Sequence, residues 1–238
     1  MEEEKLVRLS AVVSVGFSAT LKLSARVYLS MAHVAGACSS ALRAKSLEDS
    51  KNSAASLEHS GCVASCIVGC AAFLEASINE FFCDCADDPR GPDALGDEAV
   101  RWIGRYWELG FPRTAAFKIL EKYELALTIL GKGTLDLGRA PGQQVKALIN
   151  LRNALTHYEP EWQSSGDEAH KIEKQLKGQF APNPLTGLGN PFWPSQCLGY
   201  GCCKWAVKAV LDFHQQFWIQ LGLPGRHSHV YKELPVLP

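Results

Sequence analysis

The chain has 238 residues, a formal net charge of -1 and 47% hydrophobic residues. That length fits one large domain, or a domain with a short appendage, and the apolar content suffices to fill a core. A nearly neutral chain has no global attraction for nucleic acid, so contact with RNA or DNA needs a local basic patch.

Nine cysteines, an odd number, lie mostly among small apolar residues. Glu2, Glu3 and Glu4 make the opening acidic, unlike the basic start of a signal peptide. No uninterrupted apolar run reaches the ~18 residues usual for a membrane span. These features predict a cytoplasmic protein with reduced thiols and no membrane segment.

The first elements are ambiguous. Val7, Leu9, Ala11, Val13 and Val15 alternate with mostly polar or small residues, as do Leu21, Leu23 and Val27 with Lys22, Ser24 and Arg26. Alternation with period two predicts a short β-hairpin turning near Gly16. A helix that starts early and runs to about Lys45 is the rival reading.

The remainder reads as helix. Residues 50–85 make one long helix, polar at first (Lys51, Asn52, Glu58, His59) and apolar nearly all round from Gly61 to Phe82. Such a segment belongs at the centre of a bundle. Asp87 to Pro92 breaks it. Amphipathic helices are predicted over 95–109 and 113–130, then a glycine-rich connection from Gly131 to Gly142. The next helix runs from Gln143 to Tyr158 and stops before Pro160. A short charged helix is predicted over 166–177, a proline- and glycine-rich loop over 178–197, and a last helix over 198–221. That last helix places Lys204, Lys208, Asp212 and Gln215 opposite Ala206, Val210, Phe213 and Phe217. The expected fold is mostly α: an appendage over 1–45, a helical domain over 46–222 and a tail over 223–238.

One helix carries a chemical oddity. At about 100° per residue, Val145, Leu148, Ile149 and Leu155 share a stripe, and Arg152 falls within it. Lys146, Asn150, Asn153 and His157 group on one flank. A guanidinium among apolar side chains needs a partner, or a wet cleft or subunit interface. Glu75 and Asn79, four apart on the long helix, are candidate partners. Equally, Glu75 can face solvent, and Arg152 with His157 can simply neutralise helix-end carbonyls beside Glu159.

The residues Arg152-Asn153-Ala154-Leu155-Thr156-His157 match an R-x4-H pattern near the end of a late helix. In this they resemble the HEPN family of all-helical proteins. Phe73 to Glu80 resembles an earlier helix of that family, and the resemblance covers roughly residues 50–221. It implies a HEPN-like helical bundle acting as a homodimer, and metal-independent RNA cleavage that needs no cofactor. His157 would then be general base or acid, suited by an imidazole pKa near ~6.5. Arg152 would stabilise charge on the phosphate, and Asn153 would orient the histidine or the phosphate. Tyr158 and Lys146 would touch substrate, and the product would carry a 2′,3′-cyclic phosphate. Such an enzyme would suit the toxin of a toxin–antitoxin or phage-defence system, with an antitoxin protein as partner. The alternative is a non-catalytic HEPN-type module that binds RNA, a nucleotide or a protein.

Other patterns favour structure. Cys62, Cys66 and Cys70 recur every four residues among glycine, alanine and serine, which suits close helix packing. Cys83, Cys85, Cys202 and Cys203 lack the spacing of a zinc site. His227 and His229 sit in a tail expected to be disordered or on the surface. Trp102, Tyr106 and Trp107 beside Arg101 and Arg105 read as core aromatics with a solvated basic face. Gly131-Lys132-Gly133 lacks the spacing of a phosphate-binding loop, and no Gly-x-Ser-x-Gly elbow is present.

Overall fold

The computed structural model describes residues 10–14, 20–24, 26–50, 56–87, 95–113, 117–160, 170–187, 189–224 and 228–238. Among them the protein is mostly helical. Two short strands, β1 (Ser10–Ser14) and β2 (Thr20–Ser24), pair antiparallel with Ser10 opposite Ser24. The turn expected at Gly16 lies outside the described residues, as do the break over 88–92 and His227.

Eight helices follow among the described residues. They are α1 (Ser30–Ser50), α2 (Ser56–Asp87), α3 (Asp97–Glu108), α4 (Ile119–Ile129), α5 (Gly142–Thr156), α6 (Lys171–Leu176), α7 (Tyr200–Gln220) and α8 (Ser228–Tyr231). The loop expected over 178–197 contains a wide helical turn at Phe192–Gln196.

Helix α2 is the hub, touching α1, α3, α4, α5 and α7. Its buried side chains include Ile67, Phe73, Leu74, Ile78, Phe81 and Phe82. By length and composition alone α2 could cross a membrane, but half of its most apolar window is buried within the protein. Its mixed pattern arises because neighbours cover it on several sides, as a core helix requires.

Helix α1 packs along α2 and adds Val34, Ala37, Cys38, Ala41, Ala44 and Leu47 to the core. The first helix of the body therefore begins at Ser30, within the 1–45 segment expected to hold a hairpin and a helix start. Small residues allow the approach: a Cβ on Gly69 would meet the His33 carbonyl oxygen at 3.2 Å and the Ala37 Cβ at 3.3 Å. Glu80 of α2 caps the start of α1, accepting from the Leu29 and Ser30 amides at 2.8 and 2.9 Å and from the Ser30 hydroxyl at 2.6 Å. A carboxylate there satisfies donors that no helical carbonyl can reach and complements the helix dipole. Just upstream, Arg26 and the Tyr28 hydroxyl bind Asp84 at 3.1 and 2.6 Å.

The start of α7 is held similarly. Glu48 Oε1 accepts from the Tyr200 amide at 2.6 Å and lies 2.9 Å from His59 Nε2, with both of these acid and imidazole side chains buried. On α7, Lys204, Lys208 and Gln215 face solvent, while Ala206, Val210, Phe213 and Phe217 are buried. The C-terminal segment returns to this helix: Leu234 and Leu237 pack against the core, and Tyr200 and Lys204 donate to the Pro238 carbonyl. Its described part is thus held on the surface of the fold, with His229 exposed, which fits the surface reading of the tail and not the disordered one.

Candidate functional site

Helix α5 packs on α2, α6 and α7. Its buried side chains are Val145, Ala147, Leu148 and Leu151. Leu151 is fully buried, so the buried face is centred nearer Leu148, Leu151 and Leu155 than expected. Arg152, one step of about 100° further on, lies at the rim of that face and not at its centre. It is half-buried.

The rim position divides the side chain. Arg152 Nε is sealed from solvent and has no hydrogen-bond partner among the described residues. No acid among those residues pairs with the guanidinium. The expected partners are engaged elsewhere: Glu75 Oε1 and Asn79 Oδ1 accept from Lys122 Nζ at 3.0 and 3.1 Å. Lys122, on α4, is only 2% exposed, and its alkyl stem is buried with it. The proposed pairing of Arg152 with Glu75 or Asn79 is therefore corrected; a lysine from another helix takes that place.

The rest of the predicted set lies on the open side of α5. Asn153, His157 and Tyr158 are exposed, and His157 ends the helix with its amide donating to the Asn153 carbonyl at 2.9 Å. Lys146 is exposed and Asn150 half-buried. At positions i, i+4, i+7 and i+11, Lys146, Asn150, Asn153 and His157 form a polar stripe of about 16 Å at 1.5 Å per residue. Glu75 and Asn79 do not join this group.

Lys146 and Asn150 open onto a cleft between α5 and α6, with a volume of about 360 Å³. Lys174, Gln175 and Gln179 also line it, and so does Trp205 of α7. Asn150 Nδ2 donates to Gln175 Oε1 at 3.0 Å. The sequence pattern missed this cleft because no periodicity says that α6 lies beside α5.

A second polar cluster is buried. His214 is fully buried, with Ser77 Oγ 2.5 Å from its Nε2. Trp218 Nε1 donates to the same Nε2 at 3.0 Å. An indole can only donate, so Nε2 carries no proton and Nδ1 is the N–H that bonds the Tyr231 hydroxyl. A serine beside an imidazole is the pairing of a nucleophile and its base. Here both are shut off from solvent, and the cluster ties α2, α7 and α8 together. Burial pushes the Tyr231 hydroxyl upward, as it does that of Tyr123, which donates to the Leu74 carbonyl at 2.9 Å.

Seven of the nine cysteines are buried, and Cys62 and Cys83 are half-buried. Hydrogen bonding with Cys66, together with burial, holds the Cys70 and Cys203 thiols well above their ordinary range. Burial does the same for Cys202 and lifts Cys38 to about 11. Thiols held protonated in this way are packing groups, not nucleophiles. Among the described residues no cluster suits a metal ion. On α3, Arg101 and Arg105 are exposed as expected, but Trp102 is exposed too. Trp107 instead stacks on Phe82 at 6.3 Å and lies under Arg113.

Comparison with family models, with curated proteins and with solved structures yields no match to this chain.

Proposed function

We propose that the chain is a HEPN-type, metal-independent endoribonuclease whose reacting groups are Arg152, Asn153 and His157 on α5. The observation that carries this reading is the state of Arg152. It is half-buried at the edge of an apolar face, yet no acid among the described residues neutralises it. A cation left in that condition suits an anion supplied from outside, and a phosphodiester is such an anion.

The chemistry follows from the residue types. His157 takes the proton of a ribose 2′-hydroxyl as that oxygen attacks the adjacent phosphorus. The P–O5′ bond breaks, and the departing 5′-oxygen receives a proton from an imidazolium. The guanidinium of Arg152 stabilises the charge that builds on the non-bridging oxygens. The products are a 2′,3′-cyclic phosphate and a 5′-hydroxyl. Asn153 and Tyr158, both exposed near His157, would orient or contact the phosphate.

Two copies facing each other across α5 would pair two such sets and cover the rim where Arg152 Nε is sealed but unbonded. A toxin–antitoxin or defence role fits an RNA-cleaving dimer. The test is expression in a bacterial host. Growth arrest by the wild type, relieved by Arg152→Ala and by His157→Ala at equal protein level, supports the reading; equal growth of all three strains contradicts the toxin role.

A further inference from the structure

The cleft between α5 and α6 lies at the far end of the polar stripe from His157. Among the described residues its lining contains two lysines, Lys146 and Lys174, and no carboxylate. Both lysines are exposed. A pair of ammonium groups without an acid attracts phosphate.

The other lining groups suit a base. Asn150 and Gln175 bond to each other through one amide N–H and one carbonyl oxygen. That leaves the Asn150 carbonyl oxygen and the Gln175 N–H groups, an acceptor and donors, without a partner among the described residues. Paired amides of this kind can read the edge of an unstacked base. Trp205 adds an aromatic ring to the lining, and its Nε1 has no hydrogen-bond partner among the described residues. Aromatic rings in such clefts stack bases without regard to sequence. A volume of about 360 Å³ lies within the range of small-ligand sites, roughly 300–1,000 Å³.

We infer that this cleft seats a nucleotide of a single-stranded RNA, with its phosphate on Lys146 and Lys174 and its base against Asn150, Gln175 and Trp205. The choice of RNA as ligand rests on the proposed nuclease reading. The stripe from Lys146 to His157 spans about 16 Å, so the seated nucleotide lies a few residues along the chain from the bond that is cut. The cleft thus selects and holds the substrate, apart from the reacting groups.

The test is fluorescence anisotropy with a labelled short RNA carrying a 2′-O-methyl group at every position, which blocks the attacking oxygen. Lys146→Ala/Lys174→Ala is expected to weaken binding at least about tenfold. It should also reduce the slope of log affinity against log salt by about 0.7, the value for one phosphate contact on a single strand. Asn150→Ala should change the preference among oligonucleotides of different base composition and leave the salt slope intact. Lys208→Ala, exposed on α7, serves as the control for general charge loss. Thermal melts confirm that each variant is folded, and Lys146→Gln/Lys174→Gln repeats the test with the stems retained. No binding by the wild type, or unchanged affinity in the double-lysine variants, overturns the proposal. Cleavage of unmodified RNA is scored separately. Lysine-dependent binding without wild-type cleavage refutes the nuclease reading and leaves the cleft standing. Cleavage with lysine-independent binding refutes the cleft alone.

Discussion

Lys122 Nζ lies 3.0 Å from Glu75 Oε1, joining a buried lysine on α4 to a carboxylate on α2 that is about half exposed. The same ammonium donates to Asn79 at 3.1 Å. This pairing takes up the carboxylate that the sequence suggested for Arg152, whose Nε has no hydrogen-bond partner among the described residues.

Breaking that pair should destabilise the bundle. Glu75→Ala leaves the Lys122 ammonium with Asn79 alone, and a cost of about 1–3 kcal/mol is expected, below the ~3–5 of a fully buried pair because Glu75 reaches water. Lys122→Met, which keeps the stem and removes the charge, should cost less than Lys122→Ala. Urea unfolding followed by circular dichroism measures both, and equal costs for the two lysine variants would contradict the buried packing of the alkyl stem.

Arg152→Ala should behave in the opposite way. Among the described residues no acid is orphaned when the guanidinium goes, so the stability change is expected to stay within about 1 kcal/mol. RNA cleavage should fall to background. Arg152→Lys should restore little, because an ammonium lacks the two-pronged donor geometry that a phosphate accepts. A loss of several kcal/mol in Arg152→Ala would point to an internal structural role for this residue.

The Tyr231 hydroxyl accepts the only proton of the His214 ring in the tautomer fixed by Trp218. Tyr231→Phe removes that acceptor and leaves a buried N–H unsatisfied, at a cost of about 1–3 kcal/mol. The C-terminal segment should loosen first. Hydrogen exchange should therefore rise in residues 228–238 before it rises in α2. Uniform exchange across both would contradict a local latch.

Close packing gives a further prediction at Gly104. A Cβ there would lie 2.8 Å from both the Ala86 Cα and the Cys85 carbonyl oxygen, backbone atoms that cannot swing aside. Gly104→Ala should therefore destabilise by about 1–3 kcal/mol by prying α3 from α2, despite the better helix propensity of alanine. A gain in thermal stability would contradict the close crossing.

Alkaline pH should unfold the protein. The Cys38 thiol sits at about 11 against an ordinary 9.0, and Tyr123 and Tyr231 are raised above 10.0, all with burial as the first cause. The folded state then holds protons that the unfolded state has lost, so stability falls as pH rises. For Cys38 the contribution is complete below about pH 9 and is gone above about pH 11. The tyrosines extend the loss to higher pH. Denaturant midpoints measured across pH 8–11 should decline steadily, and a flat profile would contradict the burial of these groups.

How far the sequence reached depends on the kind of signal. Helices α2, α3, α4, α5 and α7 were legible because apolar periodicity and proline or glycine breaks act within one segment. The outward stripe Lys204, Lys208 and Gln215 of α7 was legible for the same reason. Partners across segments were not. Nothing local tells Glu75 that Lys122, 47 residues on, will reach it. The apolar face of α5 was drawn through Val145, Leu148, Ile149 and Leu155 with Leu151 left out, which put Arg152 at the centre when burial of Leu151 places it at the rim. His214 was passed over because an imidazole among Phe213, Phe217 and Trp218 shows no spacing that marks Ser77 and Tyr231 as its neighbours.

Proposed RNA cleavage by α5 through Arg152 and His157 is tested by incubating purified protein with a defined RNA in excess EDTA and reading the fragment ends by mass spectrometry. The expected fragments end in 2′,3′-cyclic phosphate with 5′-hydroxyl partners, formed by the wild type and lost in both Arg152→Ala and His157→Ala. Intact RNA with the wild type, or the same fragments from the two variants, would contradict it.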